Sequence, residues 1–429
     1  MLSLRINVVS LCALVVASML TSPMLTAADW PQWRGPDRNG IAANEHIRTN
    51  WKAKPPKLLW VSEGMGEGYA SMSIVDGRLY TTGNRDGAQA VICADAASGE
   101  VQWSTPITDK NPKHSYGGSR CTPTIDGDRL YAVSSDGKIA CLKISDGSLV
   151  WSEAFQQWGG KMMSGWGFSE SPLVDGDWVL CTPGGQDAMV VALNKLDGSL
   201  VWQSAIPSIG DRGGDGAGYA SIVVSNGGGV KQYVTTVGRG AIGIRAKDGK
   251  FLWGYNRVAN GTANIPTPII DGDYVFVSTG YGTGAALLKL SRTDNGGVQA
   301  EEQYFLDGKE FQNHHGGMVK LGDYIYAGHQ HNKGFPVCLE MKTGKTVWGG
   351  KIRPVGEGSA ALTCVDGQLI FRYQNGVVAL IEATPKGYNL QGQFTPEVQE
   401  RESWSHPVVV DGKLYMREQN KLMCYDVAG

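Results

Sequence analysis

Two short phrases of alternating apolar and polar residues recur along most of the chain. The first is an apolar residue, Asp-Gly, and a run of alternating apolar side chains. It reads VDGRLY from Val75, IDGDRLY from Ile125, VDGDWVL from Val174, IDGDYVF from Ile270, VDGQLIF from Val365 and VDGKLYM from Val410. KLGDYIY from Lys320 is a degraded copy and VVSNGGGVKQYV from Val223 an expanded one, making eight copies. The second phrase is eleven residues long, with a small residue first, Gly seventh and Trp last. It reads CADAASGEVQW (Cys93–Trp103), CLKISDGSLVW (Cys141–Trp151), ALNKLDGSLVW (Ala192–Trp202), GIRAKDGKFLW (Gly243–Trp253) and CLEMKTGKTVW (Cys338–Trp348). Looser copies end at Tyr304 and pass through Lys386-Gly387-Tyr388.

Asp-Gly between alternating apolar runs marks a tight hairpin, because glycine reaches the positive φ such a turn needs. Each repeat then holds two hairpins, A–B and C–D. Four antiparallel strands recurring at a period of roughly 45–50 residues predict an all-β, eight-bladed β-propeller. A sheet of this size cannot bury both faces alone. A Trp at the end of strand D, beside a small residue on strand C, offers a large flat group to the neighbouring blade. The last copy stops at Leu422–Asp426 without a strand D, whereas Pro56–Trp60 reads as a strand D with nothing before it. The N-terminal strand is therefore expected to complete the last blade, which removes exposed sheet edges. The domain reading is a signal peptide over 1–28, a lead-in over 29–56 containing WPQWRGPDRNG and packed on the outside, and the propeller over 57–429.

Composition agrees with many short strands, since 59 of the 429 residues are glycine. A net charge of −2 argues against nucleic acid as a partner. The apolar run Ile6–Leu20 after Arg5, followed by Thr26-Ala27-Ala28, reads as a cleaved secretory signal, with a retained anchor as the alternative. Periplasmic or secreted localisation follows, with no membrane span after cleavage. Beyond the leader remain seven cysteines, at 93, 121, 141, 181, 338, 364 and 424, an odd count that leaves at least one free thiol. No CxxC or CxxCH occurs, and no GxSxG elbow supports a serine nucleophile.

Strand order puts the short A–B and C–D turns on one face and the D–A and B–C connections on the other. The D–A connections are long, and long loops on a rigid scaffold are where binding concentrates. The candidate ligand-binding residues at this mouth are Arg120, Trp166, Glu170, Tyr219, Asn264, His314, His315, Glu357, Arg372, Trp404, His406 and Arg417, with Tyr69 and Arg239 nearby. Arginines with aromatics suit a planar anion, a sugar or a peptide segment. His314, His315, His329 and His331 crowd one blade tip, so a transition metal is considered there. Loop-fixing hydrogen bonds are the competing role.

The eleven-residue phrase resembles the tryptophan-docking motif of quinoprotein-type eight-bladed propellers, over about residues 57–429. It is most similar to exported pyrroloquinoline-quinone-like (PQQ-like) repeat proteins. These include polyvinyl-alcohol-dehydrogenase-type proteins and the propeller lipoprotein of the outer-membrane barrel-assembly machine. The resemblance implies either a quinone-dependent alcohol dehydrogenase with PQQ and Ca²⁺, or a scaffold without catalysis. In the dehydrogenases a Glu and an Asn hold Ca²⁺, an Asp is the base, and adjacent cysteines often form a disulfide. Here no cysteines are adjacent, Ser278-Thr279-Gly280-Tyr281 carries Tyr at the Asn position, and Gln186-Asp187 stands near the Glu position. No cytochrome segment follows. The expected function is a monomeric binding or scaffold module for another exported protein or polymer, with a PQQ-dependent dehydrogenase acting on an alcohol or polymer as the alternative.

Overall fold

In a computed structural model, which describes residues 29–429, eight antiparallel blades form a ring. The signal peptide expected over 1–28 lies outside the described residues. The innermost strands, A, line the axis: Ser73–Val75, Thr124–Asp126, Leu173–Asp175, Val223–Ser225, Ile269–Asp271, Met318–Leu321, Ala360–Val365 and Val408–Val410 in blades 1 to 8. The N-terminal strand Lys57–Glu63 pairs antiparallel with Lys421–Asp426 and supplies strand D of blade 8, as the two incomplete copies require. At Asp76-Gly77 both turn residues have positive φ (49° and 71°), as a two-residue hairpin demands.

The joint between blades explains the second phrase. Trp151 stands directly across from Cys141, Trp202 from Ala192, and Trp253 from Gly243, so the small first residue makes room for the indole. A register shift falls at this pair in every blade, one strand-D residue being left over. Such a bulge bends the strand and re-aims its side chain. Trp60, Trp103, Trp151, Trp202 and Tyr304 each then meet the seventh-position Gly of the next blade's phrase. A Cβ on Gly147 would lie 2.4 Å from Trp103, and one on Gly198 2.7 Å from Trp151. Both glycines also have positive φ, 72° and 77°. The seventh position is therefore glycine for two reasons, backbone conformation and closeness of the ring. On its other side the indole meets an aromatic of its own blade, as in Trp103–Tyr80, Trp151–Tyr131 and Trp348–Tyr326. All seven described cysteines are buried free thiols. Four of them occupy the small first position.

The lead-in is not packed on the outside. Trp30 bridges Ile74 of blade 1, and the Pro31 carbonyl accepts from Ile125 N–H of blade 2. Arg38 donates to the Ser171 and Pro172 carbonyls of blade 3, Trp33 to Thr267 before blade 5, and Arg34 to the Met318 carbonyl of blade 6. Ile41–Ala42 then adds a short parallel strand to Cys364–Val365 of blade 7. The segment crosses the central channel and plugs it. The Glu45 carboxylate next accepts the Asp411 and Gly412 N–H groups at the A–B turn of blade 8. Trp51, 1% exposed, ends against Gly392 and Phe394 of blade 7. Gly392 holds the register position where six other blades carry Trp and blade 5 carries Tyr304, opposite Leu380. The lead-in thus supplies the ring that blade 7 lacks. The cause is chemical: the arginines find unpaired carbonyls at the strand-A starts on the axis, and the apolar side chains find a joint where glycine stands in place of a ring.

Candidate functional site

Above the plug, on the face of the long D–A connections, lies a blind cavity of about 370 Å³. Its floor is Trp33 and Arg34 from the lead-in. Its walls come from the loops before the strands A, which is why they converge: eight loops of one repeat must all end at the axis. Arg120, Trp166, Tyr219, His314, His315, Trp404 and His406 line it, together with Tyr69 and His331. The rings touch one another. Trp404 packs against Tyr69 (4.7 Å between centroids), Tyr116 (4.9 Å) and His315 (5.0 Å), while Trp33 meets His406 at 4.6 Å. On the far wall Trp166 faces Tyr219, and Tyr281 contacts His314 and His331.

The remaining expected residues lie elsewhere. Arg372 is fully buried, paired with Glu418 at 2.8 Å and bonded to Ser405 Oγ and the Arg417 carbonyl. Arg417 donates to the carbonyls of Met65, Gly66, Thr82 and Gln419 and so clips blade 8 to blade 1. Both arginines sit behind the mouth because strand-B ends point into the seam between blades, where orphan carbonyls need donors. Asn264 holds the Val237 and Gly238 carbonyls. Glu357 is exposed on its loop. Arg239 is half-buried and paired with Asp215 at 2.7 Å. Glu170 is 3% exposed and takes the Thr182 N–H, with its other oxygen unpartnered. Burial raises its pKa to about 7, partly offset by Thr182 and Arg38.

Of the histidine quartet, His314, His315 and His331 cluster, with centroids 4.1–4.2 Å apart. His329 does not join them. It stacks on Phe311 and takes the Gln312 N–H. Among the described residues no group of three or more His, Cys, Asp or Glu is arranged as a metal site. His314 is instead satisfied by Ser359 Oγ at 2.8 Å and Tyr281 Oη at 3.1 Å.

The electrostatics of the cavity are one-sided. Arg34 and Arg120 donate to backbone carbonyls, and neither forms an ion pair among the described residues. Among the described residues no carboxylate lines the cavity. Burial, neighbouring imidazoles and Arg120 lower His315 to about 3, while burial followed by Arg34 lowers His406 to about 3. Both imidazoles are neutral at ordinary pH. The donor set does not fit a PQQ–Ca²⁺ pair. A calcium ion needs several oxygens, usually carboxylates among them. The buried acids Glu170 and Glu418 are engaged by Thr182 N–H and by Arg372, and Tyr281 stands at the lining where the quinoprotein resemblance calls for an amide.

The residues that sequence reading missed are chiefly Trp33, Arg34, Tyr116 and Gln374. Trp33 and Arg34 had a signal: WPQWRGPDRNG is rich in Trp and Arg yet falls outside the repeat, so no blade accounts for it.

The fold is shared with solved propellers of low sequence identity. A europium-containing methanol dehydrogenase superposes with TM-score 0.64 at 12% identity, covering 90% of this chain and 89% of its own. The quinohemoprotein alcohol dehydrogenase ADHIIG from Pseudomonas putida HK5 gives 0.63 at 12%, covering 94% and 80%. The computationally designed Ika8 protein gives 0.62 at 10%, covering 86% and 100%. At such identities the likeness is one of fold, and a designed propeller matches as well as two enzymes. No curated protein matches the chain. The PQQ_2 family model, described as outer membrane protein assembly factor BamB, matches residues 87–350, more than half of the sequence. The protein therefore belongs to the PQQ_2 family of PQQ-like repeat propellers.

Proposed function

We propose that this protein is an exported binding propeller that captures a partner, either a polymer or a segment of another exported protein, at the cavity on its loop-rich face. The single observation behind this reading is the lining of that cavity: aromatic rings, neutral imidazoles and two guanidiniums without ion pairs, with no carboxylate among its described lining residues. Cavities of this size that are mostly apolar with a few placed polar groups are the usual form of a ligand site. The plug makes the cavity blind, so a polymer enters by its end and does not thread through. In this reading the leader over 1–28 carries the chain to the periplasm or beyond, residues 57–429 form the binding domain, and the 29–56 lead-in completes its floor. Against the dehydrogenase alternative stands a cavity with no carboxylate among its described lining residues, Glu402 reaching only the Tyr69 hydroxyl at 3.5 Å.

Indole fluorescence of the purified chain during titration with polyvinyl alcohol, polygalacturonate and an unstructured peptide tests the reading. In parallel, dye-linked oxidation of alcohols and polyvinyl alcohol is followed with PQQ and Ca²⁺ added. Saturable quenching by at least one probe, lost in Trp404→Ala and without dye reduction, is the expected result. Sustained dye reduction would overturn it in favour of the enzyme.

A further inference from the structure

We infer that the ligand of this cavity is an acidic sugar, a carboxylate-bearing hydroxylated ring that enters end-on and supplies the counter-charge Arg34 and Arg120 lack. The inference rests on the binding reading above and names the ligand class for the same site.

Three observations point to it. The first is charge. Arg34 is 4% exposed, and its Nε and one terminal nitrogen have no partner, while the other terminal nitrogen is held by the carbonyls of Asn39 and Met318. Carbonyls satisfy hydrogen bonds without neutralising a cation. Arg120, on the opposite side of the bowl, is held likewise by the carbonyls of Ser115, Tyr116 and Trp166. Two cations facing a partly enclosed, apolar space focus a positive potential there. Burial, then the Arg34 guanidinium and more weakly Arg372, keep His406 neutral, so the imidazole offers an uncharged donor and acceptor, and both its ring nitrogens are unpartnered.

The second is shape. Trp33, Trp166 and Trp404 present rings on the floor and on two walls, which suits a flat ligand with C–H faces. The third is the polar remainder: Ser169, Thr267, Asn332 and Gln374 interrupt the rings with hydroxyls and amides. Thr267 accepts from Trp33 and Gln374 from Trp404, which leaves the Thr267 O–H and the Gln374 amide N–H groups as spare donors that a sugar's hydroxyls answer and a purely aromatic acid does not. The blind floor limits the ligand to a free sugar acid or the terminal unit of a polymer.

Isothermal titration of the full chain with galacturonate, trigalacturonate, galactose, galactotriose, benzoate and PQQ tests the inference. Galacturonate and trigalacturonate should bind at least about tenfold more tightly than their neutral counterparts, the size of one charge-assisted contact. The preference should shrink as salt is raised. Arg120→Gln should bring the ratio of galacturonate to galactose affinity close to one, whatever it does to galactose binding itself, while Arg34→Lys, which keeps the charge, should retain most of the preference. A thermal melt identifies any variant that has lost the fold, and the salt series on the unaltered protein stands independently of the variants. Equal binding of acidic and neutral sugars, tighter binding of benzoate or PQQ than of trigalacturonate, or no sugar binding at all would each overturn the inference. If polyvinyl alcohol or the peptide still quenches the mouth tryptophans in that case, the binding reading survives without it. Trigalacturonate binding more tightly than galacturonate marks a polymer end as the source; equal affinities mark the free sugar acid.

Discussion

His406 shows what burial against the plug does to a single side chain. Its imidazole is 5% exposed, touches Trp33, and is held neutral to about pH 3, against an ordinary value of 6.5. Between those values the unfolded state takes up a proton that the folded state refuses, so stability falls as pH falls. The loss from this one group is of the order of 5 kcal/mol at most, about 1.4 kcal/mol for each pH unit. His315 acts in the same direction, with a smaller effect because it is partly exposed. Glu170 acts in the opposite sense. Its carboxyl holds a proton up to about pH 7 when folded, against 4.5 ordinarily, so its contribution declines as pH rises through that window. Urea unfolding from pH 7 to pH 4 should therefore show net loss of stability with acid. His406→Gln should flatten the profile by about one proton, and Glu170→Gln should steepen it. An unchanged slope in both variants would contradict the burial described for these groups.

At the scale of the element, the blade is a sheet whose outer edge carries a ring for its neighbour. The register shift beside each strand-C small residue turns strand D so that the indole lies over the next glycine. Blade 7 departs from this, with Gly392 at the ring position and Trp51 inserted from the lead-in. Trp51→Ala should consequently cost as much as losing a blade's own core indole, about 3–5 kcal/mol. Denaturant melts comparing Trp51→Ala with Trp253→Ala check this. A loss below about 1 kcal/mol for Trp51→Ala would mean that the lead-in is an accessory and not part of the joint.

For the whole molecule, ring closure and channel plugging are done by one continuous N-terminal stretch. Residues 57–63 cover the edge of Lys421–Asp426, and residues 30–42 close the axis. A chain beginning at residue 64 would expose the full edge of that last strand, with its unpaired backbone groups. Such a truncation should elute as aggregate in size-exclusion chromatography, and adding the 29–63 peptide in trans should restore a monomer-sized peak. A truncation that remains a folded monomer without the peptide would show that the ring closes without its terminal strand.

The sequence by itself determined the number of blades, the hairpin turns, the Trp–small pairing across strands C and D, and the closing strand. These are local or periodic features: Asp-Gly restricts φ, alternation restricts which face is buried, and eight repetitions average out the degraded copies at Lys320 and Val223. It also placed Arg120, Trp166, Tyr219, Trp404, His314, His315 and His406 near the axis, because loop length and repeat phase alone locate a strand-A start. Tertiary structure decided the rest. Whether an arginine faces a cavity or a seam depends on which carbonyls a neighbouring blade leaves unpaired, so Arg372 and Arg417 turned inward while Arg34 reached the floor. The path of WPQWRGPDRNG through the channel obeys no period, and its donors find their acceptors up to 284 positions away in sequence. Contacts of that separation exist only once the ring has formed.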